Sequence, residues 1–164
     1  MNRIRTVALA LGLALAATAA PVAIAQPKPP SDALSDPSLK GPEVIAFIGV
    51  KPGEKVADIV GGRFTRALSQ AVGPNGKVYA VETAEVVKAH PTALDAMNAA
   101  AAAAPGHNIE VSQTPVNAMG LPKGLDAVFI RQNYHDLHVR FMGPADVAAF
   151  NRDMAGKVGT IAER

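Results

Sequence analysis

The most constraining feature of this chain is a strand–turn–helix–turn–strand succession between residues 55 and 82. Lys55 to Val60 (KVADIV) is short, rich in β-branched residues and bounded by turns, so it reads as a buried strand. Gly61-Gly62 follows at once. Phe64 to Val72 is helical in pattern, with Phe64, Leu68, Ala71 and Val72 on one face, and Gly73-Pro74-Asn75-Gly76 stops it. Lys77 to Glu82 (KVYAVE) is a second strand. Two short strands joined by one helix form a βαβ unit, which requires a parallel sheet and a right-handed crossover.

The rest of the chain extends the pattern. Gly41-Pro42 opens a short helix with Val44, Ile45, Phe47 and Ile48 as its apolar face, since Pro suits the first helical turn. Pro91 opens an Ala-rich helix that Pro105-Gly106 ends. Ile109 to Ser112 is a weak third strand, Leu125 to Gln132 (LDAVFIRQ) a strong fourth, and Pro144 to about Met154 a last helix. Strands alternating with helices give an α/β fold in one domain.

The first 25 residues read as an export signal. Arg3 and Arg5 precede an apolar run from Thr6 to Ala20, and Ala23-Ile24-Ala25 fits a small-x-small cleavage site, so the mature chain is expected to start at Gln26. The alternative is an uncleaved membrane anchor; either places the domain outside the inner membrane, in the periplasm or beyond. Residues 26–40, with Pro27, Pro29, Pro30 and Pro37, read as a linker, and the folded domain is expected over 41–164. Removing Arg3 and Arg5 leaves 14 basic and 14 acidic residues, so the high isoelectric point says nothing about nucleic acid; no basic run with interleaved aromatics remains, and no nucleic-acid partner is expected. The chain has no Cys, which excludes disulfides, thiolate metal sites and a thiol nucleophile.

Ligands of open parallel sheets bind beyond the carboxyl ends of the strands. Three such ends here carry chemistry: Asp58 with Gly61-Gly62, Glu82, and Arg131 to Asp136. Glycines between strand and helix let a ligand approach the backbone, and a carboxylate at the next strand end can accept bonds from both hydroxyls of a ribose. Read alone, the glycine pair is equally an ordinary turn, and Glu82 equally a solvated strand end or a helix cap. Together they point to an adenosine-containing ligand. A dinucleotide would call for a third glycine, whereas Arg63-Phe64-Thr65-Arg66 follows Gly62. His135-Asp136-Leu137-His138 offers two imidazoles and a carboxylate, but no further histidine is near in sequence, so no metal site is expected.

Two stretches carry a family resemblance. Val50-Lys51-Pro52-Gly53 to Asp58, the glycine pair, Phe64-Thr65-Arg66 and Val72 to Glu82 resemble the first two motifs of class I S-adenosylmethionine-dependent methyltransferases. Gln132-Asn133-Tyr134-His135-Asp136-Leu137-His138 and Phe141-Met142-Gly143-Pro144 resemble an exported proteobacterial subgroup of predicted methyltransferases. The resemblance runs from about Gly41 to Asn151. It implies a Rossmann-like sheet of seven strands with S-adenosylmethionine across the tips of the first ones. By the same resemblance Asp58, Gly61 and Gly62 line the methionine and ribose side, and Glu82 holds the ribose hydroxyls. Asn133, Tyr134 and His135 face the transferred methyl group, with His135 as a general base. The implied substrate is a small molecule.

The chain departs from that pattern twice. Its first loop is two residues shorter than the family's, with Arg63 where an aromatic is usual. After Asn151 the sequence is unlike the family's continuation, so only the first four strands are expected, with the C-terminal ones missing. Ala127 to Ile130 is then an open apolar edge suited to self-association. The competing readings are a non-catalytic remnant or nucleoside-binding module and, disfavoured by the missing glycine, a nicotinamide-dependent oxidoreductase.

Overall fold

The computed structural model describes residues 31–159. The expected export signal and cleavage site lie outside them. Four strands, β1 (Lys55–Ile59), β2 (Lys77–Thr83), β3 (Ile109–Thr114) and β4 (Ala127–Ile130), form one all-parallel sheet in the order β3-β2-β1-β4. The helices are α1 (Gly41–Ile48), α2 (Thr65–Val72), α3 (Ala84–Ala89), α4 (Ala93–Ala103) and α5 (Val147–Lys157). This is the α/β, Rossmann-like architecture that the alternating pattern implies. Among the described residues, no helix is long and apolar enough to cross a membrane.

The sheet is covered on both faces, so its central strands are apolar on both sides. In one layer Phe64, Leu68 and Val72 of the α2 segment pack on Val56 and Val78, with Val44, Ile45 and Ile48 of α1 beside them. In the other, Leu137, Met142, Phe150 and Met154 pack on Ala57, Ile59 and Val81. Phe64, Leu68, Met97 and Met142 are fully buried. Each such side chain contributes about 1.5–3 kcal/mol by leaving water. Asn108 fixes the lower end of α2: its side-chain amide donates to the carbonyls of Ser69 and Gly73, and Ser69 Oγ donates to its carbonyl oxygen.

Besides Phe47, expected on the apolar face of α1 but 90% exposed, three features differ from the sequence-based expectations. Residues 31–40 are no linker. Asp32 accepts bonds from the Leu34 and Ser35 N–H groups, Asp36 caps a 3-10 turn over Pro37–Leu39, and Ala33 and Leu39 are buried. Short acidic caps build turns that prolines tolerate, so the folded unit includes at least ten residues before Gly41. The sequence reading also left out α3, which Thr83 caps by accepting from the Val86 N–H. The third difference lies beside β4. Beyond α5, Leu125 donates to the Lys157 carbonyl and accepts from Gly159 N–H, making a parallel bridge to Val158. The outer side of the fourth strand therefore begins to pair with this chain itself, where the expectation drew that neighbour from missing sequence. Ala127 to Ile130 remain the last strand on that side among the described residues, and all four are half-buried.

Candidate functional site at the strand tips

Asp58 and Glu82 stand near the carboxyl ends of adjacent parallel strands. The register sets Asp58 opposite Ala80, two positions before Glu82. Asp58 is 1% exposed and Glu82 3% exposed. Thr65 Oγ1 donates to Asp58 Oδ2 at 2.6 Å, and the Gly62 N–H also donates to this carboxylate. Glu82 Oε1 accepts from the Thr83 N–H at 2.8 Å. Burial raises the Asp58 pKa to about 6 against these two bonds. It raises Glu82 to about 7, opposed by the Thr83 bond and helped by the nearby Asp58 charge. Two acids pushed upward by burial at one end of a sheet make this end the candidate site, because an ordinary strand end leaves its carboxylate in water.

The turn after β1 explains why two glycines stand there. Gly61 lies directly over the Asp58 carboxyl group, and a Cβ at that position would collide with it. Gly62 has φ +100° and faces Ala96 and Met97 of α4. Before them, Val60 has φ +49°, and after β4 Gln132 has φ +63°. A β-branched residue in the left-handed region is strained, and this strain sits at the tip of a central strand. Its N–H donates to the Val81 carbonyl at 2.9 Å, which holds the strained turn against β2.

Between the β1 and β4 tips lies a small cleft of about 80 Å3, lined by Asp58, Val60, Gly61, Arg63, Phe64, Phe129 and Arg131 to Asn133. The Arg131 guanidinium lies 5.0 Å from the Phe64 ring centroid and donates to Gln132 Oε1 at 2.6 Å. Among the described residues, Arg131 makes no ion pair.

The Asn133 to Met142 segment caps this end. It forms two 3-10 turns, Tyr134–His138 and Arg140–Met142, whose Leu137 and Met142 are buried. Asn133 Nδ2 donates to Asp136 Oδ2 at 3.1 Å, and His135 Nε2 stands 3.2 Å from Asp136 Oδ1. Tyr134 Oη pairs with the Asn151 side chain of α5.

The structure thus brings Asp58, Gly61 and Asn133 to one cleft. Gly62 lies on the far side of the turn, against a separate cavity of about 240 Å3 beside α4. Tyr134 is at the rim, and the His135 side chain is 75% exposed. Glu82 is 3% exposed and so is held beneath the surface. The donor set suits a nucleoside bearing an amino-acid end: a carboxylate for ribose hydroxyls, glycines for close approach, and Asn133 and Arg131 at the far side. The cleft, about 80 Å3, is smaller than the 300 Å3 or more usual for small-molecule sites. Thr65 and Arg131 stand in the motifs noted in the sequence, but no role was assigned to either from the sequence alone. A hydroxyl seven residues after Asp58, at the start of the helix, was the available signal for Thr65.

No protein-family model matches the chain. No curated protein matches it in sequence. Among solved structures, it is similar to a SAM-dependent methyltransferase from Aquifex aeolicus, with TM-score 0.56 and 21% identity over 76% of this chain and 63% of that one. It is also similar to TrmN from Thermus thermophilus, with TM-score 0.53 and 15% identity over 73% of this chain and 34% of that one. The chain therefore spans less than two thirds of the length of either structure. At these identities the likeness concerns the backbone: this chain has the Rossmann-like fold that those two proteins share.

Proposed function

We propose that this protein binds S-adenosylmethionine at the tips of β1 and β2 and is a methyltransferase acting on a small molecule outside the inner membrane. The observation that carries this is the placement of Asp58 beneath Gly61 and of Glu82 at the end of the neighbouring strand. Once the turn opens, Glu82 accepts the two ribose hydroxyls, and loss of its burial returns it toward the ionised form that accepts both. Gly61 and Gly62 admit the ligand to the backbone. Arg131 pairs with the carboxylate of its amino-acid end, and Asn133 supplies a polar contact beside it. The bound cofactor would supply an electrophilic methyl group. The protein's part is then chiefly to hold an acceptor in line with it, which proximity and orientation make effective. Tyr134 and His135, at the rim, line the acceptor's approach, and His135 takes the acceptor's proton.

A thermal-shift series tests the cofactor reading. S-adenosylhomocysteine at about 100 times its Kd stabilises by about 2.7 kcal/mol, which raises the melting temperature by several degrees for a domain of this size. NAD should give no shift. A shift with NAD and none with S-adenosylhomocysteine would replace this reading with the oxidoreductase one. No shift with either at millimolar concentration favours a remnant that keeps the fold without the ligand.

A further inference from the structure

The residues that precede α1 are fastened to the turn that follows β1. Arg63, within that turn, is the anchor. Its carbonyl accepts from the Ala33 N–H at 2.8 Å, and its Nε donates to the Ser31 carbonyl at 3.0 Å. Its Nη2 donates to Ser31 Oγ and to Asp36 Oδ2, both at 3.1 Å. One helical turn on, Arg66 Nη1 reaches Asp32 Oδ2 at 2.8 Å. The segment that supplies these partners is itself well defined. Asp32 ties its own turn through Ser35 Oγ at 2.9 Å, and Ala33 is buried with its carbonyl against Gly41, where a Cβ would collide. A rigid strap therefore presents two carboxylates to two arginines, one within the glycine turn and one in the first turn of α2 after it.

The turn it holds is the one that covers the Asp58 carboxyl group. On its other side the turn borders the cavity of about 240 Å3 between the strap and the alanine face of α4. There is thus room for the turn to move, and the arginine contacts oppose that movement. Both ion pairs are partly exposed, with arginine side chains 45% and 39% accessible. Such pairs are individually weak and sensitive to salt, which suits a fastening that opens rather than a permanent brace.

We propose that residues 31–36 form an autoinhibitory latch: through Asp36–Arg63 and Asp32–Arg66 they hold the glycine turn closed over the strand tips, and ligand entry requires its release. This rests on the strand tips being the cofactor site. The test uses the full mature chain, its Arg66→Gln and Asp36→Asn variants, amide hydrogen exchange and titration with S-adenosylhomocysteine. Exchange at residues 61–66 should rise about fivefold in each variant, the scale of one lost exposed ion pair, while exchange in β1 and β2 stays unchanged. The dissociation constant should fall about threefold or more as the closed state loses its advantage. Unchanged exchange at 61–66 overturns the latch. So does an equal rise throughout β1 and β2, which would make the contacts a general brace. Faster local exchange with unchanged affinity overturns the claim that the latch governs entry. Faster local exchange with no ligand binding by any of the three proteins keeps the latch and removes the proposed function.

Discussion

Burying two carboxyl groups at adjacent strand tips makes stability depend on pH in a direction opposite to that of most acid-bearing folds. Glu82 rises from an ordinary 4.5 to about 7, and Asp58 from 3.8 to about 6, in each case because burial disfavours the charge. Between pH 4 and 7 the folded protein then binds more protons than the unfolded chain, so stability falls as pH rises. The full contribution is present below the unfolded values and is lost through the folded ones. At about 1.4 kcal/mol per unit, each group alone accounts for about 3 kcal/mol. The two interact, so they titrate as a pair and the total lies between about 3 and 6 kcal/mol. That is a large share of the roughly 5–15 kcal/mol that holds a domain together. Urea unfolding followed by circular dichroism from pH 4.5 to pH 8 measures it. The midpoint should drop steadily across that range, and Glu82→Gln should remove about half of the drop, because a neutral amide has no charge to bury. A midpoint that is flat, or that climbs with pH, would mean that both carboxylates are ionised and paired in the folded state, and the reasoning about the site would fail.

Three further results are expected. Asn108→Ala removes the amide that joins α2 to β3 and leaves the Ser69 and Gly73 carbonyls short of a donor; it should cost about 2–3 kcal/mol in a denaturant titration. Gly61→Ala drives a methyl group into the Asp58 carboxyl, so it should lower stability by about 1–3 kcal/mol and abolish S-adenosylhomocysteine binding by calorimetry. The third concerns β4. Asp126 N–H points to β1 and Leu125 N–H points away from it, so Ala127 N–H also points away. If the protein associates through this edge, Ala127→Pro should abolish concentration-dependent dimers in size-exclusion chromatography without disturbing the β1 pairing; dimers that persist would place the interface elsewhere.

The fold was legible because its strongest signals were local. KVADIV and KVYAVE are apolar on both faces, and the turns that bound them carry Gly, Pro and Asn, so strand identity and parallel pairing followed from the sequence. What was not legible depended on tertiary partners. Residues 31–40 read as a linker because four prolines dominate that stretch from Gln26, yet Arg63 and Arg66 give its two aspartates a place to dock. The six-residue α3 has too few positions to show periodicity, and only the Thr83 cap announces it. Val158 shows no strand pattern of its own, and its bridge to Leu125 arises because α5 returns the chain to the sheet edge. At the candidate site the residue types were readable, while their accessibility was not. Asp58 and Glu82 read as open acceptors and are buried, since the short glycine turn folds down onto Asp58.

Glu82 is the group proposed to hold a ribose. Calorimetric titration of S-adenosylhomocysteine into the wild-type protein and into Glu82→Ala measures that directly. The wild type should bind, and the variant should bind at least about 1.5 kcal/mol more weakly, the scale of a charged hydrogen bond. Equal affinity in the two proteins would remove Glu82 from the site and contradict the account.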